Sequence, residues 1–224
     1  GTVWAWGLNT HGALGVGNTL DSGTPQQVVG LYGVVQIVAG YYHSLALTSD
    51  GTVWAWGWNN FGQLGNGSKS DSSLPVQILG LTGVTQLSAG LHHSLALKLD
   101  GSVWAWGRNS NNQLSVVGLD SSSVPIQCQN VSGISQISAG ALHSVALKTD
   151  GSVLFWGADE DGQFGDVTFA RAVVVSPIVG LEGQTNISAG HAHTLSVQAP
   201  KLNISISNTN VSTLYGKGVT LKAT

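Results

Sequence analysis

The chain has 224 residues, a formal net charge of −3, 8% charged side chains, 31 glycines, eight tryptophans and one cysteine. Ordinary soluble domains carry roughly 25% charged residues, and nucleic-acid binders carry a basic excess that is absent here. A hydrophobic share of 42% argues against disorder, no apolar run reaches the ~20 residues of a membrane-spanning helix, and Cys128 alone cannot build a disulfide framework.

Lys, Glu and Arg, which usually surface a helix, are scarce. Gly, Ser, Thr, Val and aromatic residues dominate, and that mixture points to all-β structure. The chain starts without Met and inside a pattern, so residue 1 is read as a processing or truncation point. The pattern opens as Gly1-Thr2-Val3-Trp4-Ala5-Trp6-Gly7, followed by His11-Gly12-Ala13-Leu14-Gly15. Next comes Ala39-Gly40-x-x-His43-Ser44-Leu45, and then Ser49-Asp50-Gly51, a hairpin signal with a two-residue Asp-Gly connection. Both blocks return 50 residues later and keep that spacing through the fourth copy.

The second copy shows four strand candidates: Val53 to Trp56, Val76 to Ile78, Val84 to Ser88 and Ser94 to Leu97. Leu95 and Leu97 face one way while Ser94 and Ala96 face the other. Four short antiparallel strands in 50 residues are the content of one propeller blade, and a blade needs neighbours to bury its faces. The expected domains are repeats 1–50, 51–100, 101–150 and 151–198, with a strand-rich tail at 199–224. In the third repeat Asn111-Asn112-Gln113-Leu114-Ser115 lacks both glycines of the block. The fourth carries Asp161-Gly162-Gln163-Phe164-Gly165 and then Phe169-Ala170-Arg171-Ala172 in place of a Ser-rich loop, so a distorted outer edge is expected.

Trp56-Gly57-Trp58-Asn59-Asn60-Phe61-Gly62-Gln63-Leu64-Gly65, together with Ala89-Gly90-Leu91-His92-His93-Ser94-Leu95-Ala96-Leu97, resembles the repeats of the regulator of chromosome condensation family. The absence of Gly-Gly and Trp-Asp doublets sets it apart from kelch and WD40 repeats. The resemblance implies a seven-bladed β-propeller, of which four repeats are present, and binding of proteins through one loop face. It also brings two comparisons: a secreted bacterial β-lactamase inhibitor protein of similar architecture, and the guanine-nucleotide exchange role of the family founder. In the tail, Gly218-Val219-Thr220-Leu221-Lys222-Ala223 looks like the early strands of bacterial immunoglobulin-like or PKD-like surface modules.

Chemistry candidates are few. His43, His93, His143 and His193 share one repeat position. Separate blades hold such positions too far apart for a metal at ~2 Å, so they are expected to hydrogen-bond backbone. His191 and His193 could share a strand face as a weak chelating pair. Trp6, Trp56, Trp106 and Trp156 are expected to pack between blades, with Trp4, Trp54 and Trp104 as further core. Asp159-Glu160-Asp161 reads as a solvated turn with weak Ca²⁺ potential, and no Gly-x-Ser-x-Gly, Walker or zincin motif occurs.

The candidate partner-binding positions are the residues that vary between Ala-Gly and His: Tyr41 and Tyr42, Leu91 and His92, Ala141 and Leu142, His191 and its neighbour Ala192. Trp58, which has no tryptophan counterpart in the other repeats, joins them. All are expected on loops at one end of the propeller, where function concentrates. The sequence is therefore read as a non-enzymatic interaction or structural module without cofactor, on a secreted or surface-attached bacterial protein. The partner is a protein, or the chain's missing blades or another copy. A regulatory exchange factor and a carbohydrate-binding propeller using Trp58, Tyr41 and Tyr42 are the alternatives.

Overall fold

The computed structural model describes residues 1–166 and 172–200, with only the backbone described at 172–174. The expected surface-module strands of the tail lie outside the described residues, as does most of the divergent loop of repeat four. Every regular element described is a β-strand. Strand β1 (Trp4–Gly7) pairs with β2 (Ser22–Gln27). A four-stranded antiparallel sheet follows: β3 (Val34–Ala39), β4 (His43–Thr48), β5 (Val53–Gly57) and β6 (Ser72–Gln77). The next holds β7 (Val84–Ala89), β8 (His93–Lys98), β9 (Val103–Arg108) and β10 (Ser121–Gln127). The fourth holds β11 (Ile134–Ala139), β12 (His143–Lys148), β13 (Val153–Gly157) and β14 (Ala172–Pro177). Finally β15 (Gln184–Ala189) pairs with β16 (Thr194–Gln198).

The blades are thus out of phase with the sequence repeat. The four strands expected to form one blade within residues 51–100 divide between two sheets, because β8 hydrogen-bonds to β9 across the Leu99-Asp100-Gly101 turn. Each sheet takes its inner two strands from one repeat and its outer two from the next, so the described chain forms three four-stranded blades flanked by two two-stranded sheets. The joining turn is one residue longer than expected. Thr48 N–H donates to Thr52 C=O at 3.0 Å and Gly51 N–H to Thr48 C=O at 2.9 Å, which encloses Ser49, Asp50 and Gly51. This is the three-residue hairpin whose last position is left-handed, and Gly51, Gly101 and Gly151 take it with φ near +80°. Asp50, Asp100 and Asp150 brace the same turns by accepting the N–H of residue 52, 102 or 152.

The core lies in layers between sheets. One layer joins Leu45, Val53, Leu64 and Ile78 to Leu87 and Trp106; the next joins Leu95, Val103, Leu114 and Cys128 to Ile137 and Trp156. Strands β3, β7, β11 and β15 neighbour one another on the inside. Gln36 clamps that contact: its Oε1 accepts Leu87 N–H at 2.8 Å and its Nε2 donates to Leu87 C=O at 3.1 Å. Gln86 repeats the clamp on Ile137, and Gln136 on Ile187. Asn186, one methylene shorter, holds this position in the fourth repeat.

Third-repeat departures leave the turn intact. Asn112 and Ser115 adopt φ of 61° and 60°, the left-handed conformation held by Gly62 and Gly65 in the second repeat. Asn tolerates that region better than most residues. Gly62 has a stricter reason: a Cβ there would lie 2.5 Å from Ser123 Cα of the neighbouring blade. Gly62→Ala combines left-handed strain with a backbone collision and is expected to cost about 2–4 kcal/mol. The exposed Gly80, also left-handed but with open space around it, is the matched control. Equal urea midpoints for the two alanine variants would remove the close-approach argument.

Candidate functional site

A buried polar lattice sets one end of the blades. Asn59 nucleates the loop after β5: its Oδ1 accepts Leu64 N–H at 2.9 Å, and its Nδ2 donates to the carbonyls of Ser68 and Ser70 at 3.0 and 2.9 Å. Asn9 and Asn109 repeat this role in their own loops. Asp159 replaces them in repeat four; it is fully buried, and its carboxylate accepts Phe164 N–H at 2.8 Å. Asp159 is therefore a loop-organising residue, not part of a solvated acidic turn. Among the described residues no group of three or more His, Cys, Asp or Glu could hold a metal ion.

The loop presents Gln63 C=O to the next blade, where it accepts both Trp106 Nε1–H at 2.8 Å and Ser94 Oγ–H at 2.9 Å. Because Ser94 spends its proton on that carbonyl, the His43 Nε2 at 3.0 Å must donate to Ser94 Oγ. The same relay runs from His93 to Ser144, whose Oγ–H donates to Gln113 C=O at 2.9 Å, and His143 Nε2 pairs with Thr194 Oγ1 at 3.2 Å. These histidines bond a side-chain hydroxyl of the neighbouring blade, not backbone as expected. Their Nδ1 atoms are buried without a partner. Burial first, and nearby imidazoles second, push His43 and His93 down to about 3; burial does the same to His143, to about 4. All three are neutral across the ordinary pH range.

Tryptophan burial divides along the chain. Trp56, Trp106 and Trp156 are 0–2% exposed, whereas Trp6 is 61% exposed. Trp54 and Trp104 are half-buried and border the core, whereas Trp4 is exposed. His193 is exposed, unlike its three counterparts. Cys128 is buried against Leu114 C=O, and burial pushes its thiol up; it is a packing residue.

Over this lattice the variable positions gather in two sets. Tyr41, Leu91, Ala141 and His191 ring a cavity of about 300 Å³ whose remaining lining is Ala and Gly. Leu91 N–H donates to Ala141 C=O, and Ala141 N–H to His191 C=O, both at 3.0 Å, so these residues also stitch the blades. The second set forms because the residue before each buried His accepts a backbone hydrogen bond from the residue after Trp-Gly. Tyr42 C=O takes Trp58 N–H, His92 C=O takes Arg108 N–H, and Leu142 C=O takes Ala158 N–H, at 2.8–2.9 Å. That pairing brings Tyr42, Trp58 and His92 side by side.

The result is an aromatic cluster on the loops of two adjacent blades. Trp58 meets His92 at 4.7 Å between ring centroids, Phe61 at 5.6 Å and Tyr42 at 6.0 Å, all edge-on. Phe61 stacks on His92 at 5.3 Å, Arg108 sits 5.2 Å over the Phe61 ring, and Tyr41 packs on Tyr42 at 4.3 Å. His11 contacts Tyr42 and Trp58 and bonds Asp71 at 3.0 Å. Burial and the Arg108 charge lower the His92 pKa, and Tyr41 raises that of Tyr42. Sequence reasoning missed His11, Phe61, Arg108 and Asp71. The signal was available: the residue before the loop glycine, or before Asn112 in the third repeat, is His11, Phe61, Asn111 or Asp161, and the residue after Trp-Gly is Leu8, Trp58, Arg108 or Ala158. Both positions vary as freely as the pairs that were singled out. Leu142 and Ala141 contribute mainly backbone.

Four-stranded antiparallel blades packed face to face, with a rigid polar lattice under one variable loop end, define a β-propeller repeat protein. The chain belongs to the RCC1-like domain family, whose model matches residues 1–201. Over 53 residues it is 47% identical to the mitochondrial RCC1 domain-containing protein RUG3 of Arabidopsis thaliana, a match covering 23% of this chain and 12% of that protein. The structure of human WBSCR16 superposes with a TM-score of 0.75 at 25% identity, over 86% of this chain and 54% of that one. That of Prp20p from Saccharomyces cerevisiae does so with a TM-score of 0.78 at 25% identity, over 89% and 52%. The chain thus spans about half the length of these structures and a smaller share of the plant protein.

Proposed function

We propose that the chain is a non-enzymatic interaction module that binds a protein partner through the loop face bearing Tyr41, Tyr42, Trp58, Phe61, His92 and Arg108. The observation that carries this is the half-exposed aromatic cluster itself. Tyr, Trp and Arg are the residues that dominate binding energies, since each offers large contact area for few torsions. The lattice of His, Ser and Gln beneath them fixes the loops in advance, which lowers the ordering cost of binding. The Prp20p structure is described with binding properties to Gsp1p and histones, and such a partner class, with a regulatory or exchange role, is the second reading. For this chain we favour a secreted or surface-attached setting, supported by the likeness of residues 218–223 to surface modules.

The test is affinity capture from the native surroundings with wild type and Tyr42→Ala/Trp58→Ala. A protein bound by the first is expected to bind the second roughly 30-fold more weakly, the effect of losing a hot spot of about 2 kcal/mol. Equal binding would sink the proposed face. Glycan-array binding lost on Trp58→Ala would replace the protein partner with a carbohydrate.

A further inference from the structure

Among the described residues the chain carries four Lys and Arg side chains: Lys69, Lys98, Arg108 and Lys148. They fall into two pairs with different surroundings. Lys98 and Lys148 flank the β8–β9 and β12–β13 hairpin turns, at the end of the blades opposite the variable loops. Lys148 is paired with Asp150 at 2.9 Å, and Lys98 lies 5.4 Å over the Trp104 ring. Lys69 and Arg108 belong to the variable-loop end, one in the loop after β5 and the other at the end of β9. Among the described residues neither forms an ion pair.

The sheet brings these two cations together. Ser121 on β10 is the register partner of Arg108 on β9, so their side chains share a face, with Cβ atoms about 5 Å apart. Lys69 reaches across from the neighbouring blade, and its Nζ donates to Ser121 Oγ at 2.9 Å. The guanidinium is held more firmly. Arg108 Nε–H donates to Ser110 Oγ at 2.7 Å while the group sits 5.2 Å over the Phe61 ring. Its Nη–H donors take no partner among the described residues. The nearby carboxylates do not neutralise the pair. Asp71 is engaged by His11 at 3.0 Å and by Asn59 N–H at 2.8 Å. Asp120, the exposed residue before Ser121, makes no ion pair with either cation. Phe61 in turn touches Trp58 and His92, and Trp58 touches Tyr42.

We propose that the protein partner is engaged through an acidic segment. A carboxylate seats on Arg108 and Lys69, while an adjoining aromatic or large aliphatic side chain packs on Trp58 and Tyr42. This rests on the loop-face reading above and supplies the partner's chemistry. A guanidinium without an ion-pair partner, held against a ring, presents a ready fork to two carboxylate oxygens. The ammonium beside it adds a point charge. Ser110 and Ser121 already position the two cations, so little side-chain freedom is left to lose on binding. A lysine-rich segment would meet the same two charges as repulsion, which sets this surface apart from an aromatic cage for cations.

The probe is a library of random dodecapeptides displayed on phage and selected on the immobilised full chain. Enriched sequences are expected to place Asp or Glu within a few residues of Trp, Phe, Tyr or Leu. For a synthetic peptide of that set, Arg108→Gln should weaken binding about 10-fold, Lys69→Gln about 3-fold, and Arg108→Lys by an amount between them. Asp120→Asn, which removes a competing negative charge, should tighten it about 2-fold. Replacing the peptide's acid by its amide should cost as much as Arg108→Gln, and combining the two changes should add little. The peptide-side change needs no variant protein, so the requirement for an acid is read even if Arg108→Gln fails to fold. Enriched peptides without acids, additive losses, or binding indifferent to Arg108→Gln and Lys69→Gln each overturn the inference. In those cases the loop face still stands if Tyr42→Ala/Trp58→Ala abolishes binding, and falls with it if not. A library without binders overturns the inference too, as does a heparin fragment captured in place of any peptide, the latter in favour of a sulfated glycan.

Discussion

Trp106→Ala is expected to lower the stability of the propeller by about 3–5 kcal/mol, the range for deleting a fully buried large side chain. Trp106 has no exposed surface and sits in the layer that joins two sheets. Its indole also satisfies Gln63 C=O together with Ser94. The variant therefore leaves a cavity and halves the hydrogen bonding of a buried carbonyl. Trp106→Phe keeps most of the packing but loses the N–H and part of the ring volume, so it should cost about 2–3 kcal/mol. Trp6→Ala, at the equivalent position but mostly exposed, should lie within about 0.5 kcal/mol of wild type in dilute solution. Urea midpoints for the three variants decide the matter. Equal losses at Trp6 and Trp106 would mean that joints between blades are not what holds this fold.

Stability is expected to fall as pH drops from about 6.5 toward 4, before the carboxylates titrate. His43 and His93, held near 3, and His143, near 4, are neutral when folded, whereas in the unfolded chain they titrate near 6.5. The native state binds fewer protons in this window, so acid favours unfolding. Above pH 6.5 their contribution is fully present; below it each site removes at most about 1.4 kcal/mol per pH unit. His92, also lowered, acts in the same direction from a more exposed position. Asp50, Asp100 and Asp150 are held below their usual range by turn hydroxyls and N–H groups. Their contribution is present above about pH 4 and is lost only at lower pH. Denaturation at pH 7.0, 6.0 and 5.0 should give a steady decline. His93→Gln, which can still donate to Ser144 but does not titrate, should flatten the slope by one site. A flat profile in wild type would show that the relay histidines open to solvent before the chain unfolds.

Much of the architecture was legible because it rests on periodicity. Fifty-residue spacing, Asp-Gly turns and alternating Leu and Ser in β8 locate the strands without knowledge of their partners. The grouping into blades was not legible. Hairpin geometry shows that β8 turns into β9, but which pair closes a sheet depends on contacts that leave no local trace. The histidines illustrate the same limit. Their recurrence announced a structural role, yet the Ser hydroxyl 51 residues away could be found only once two blades were set side by side. At the loop face, Tyr41, Tyr42, His92 and Trp58 were readable as variation within a recurring frame. His11, Phe61 and Arg108 belonged to the same frame and were hidden because they vary beside a glycine motif that drew attention to itself.

The half-blade offset between repeat and sheet has a consequence for how such a chain can grow or shrink. A 50-residue unit is the quantum of inheritance, but it is not the quantum of folding. If residues 51–100 were excised, β3 and β4 would run directly into β9 and β10. Asp50 would be followed by Gly101 where Gly51 had been, so the hairpin and its register would be preserved. No sheet would be left torn, and the new joint would present Trp106 to the Ala13 carbonyl that Trp56 now uses. Duplication works in reverse: a copied unit enters as the second half of one blade and the first half of another. A propeller built this way can therefore change its number of blades without passing through a chain that has a broken one.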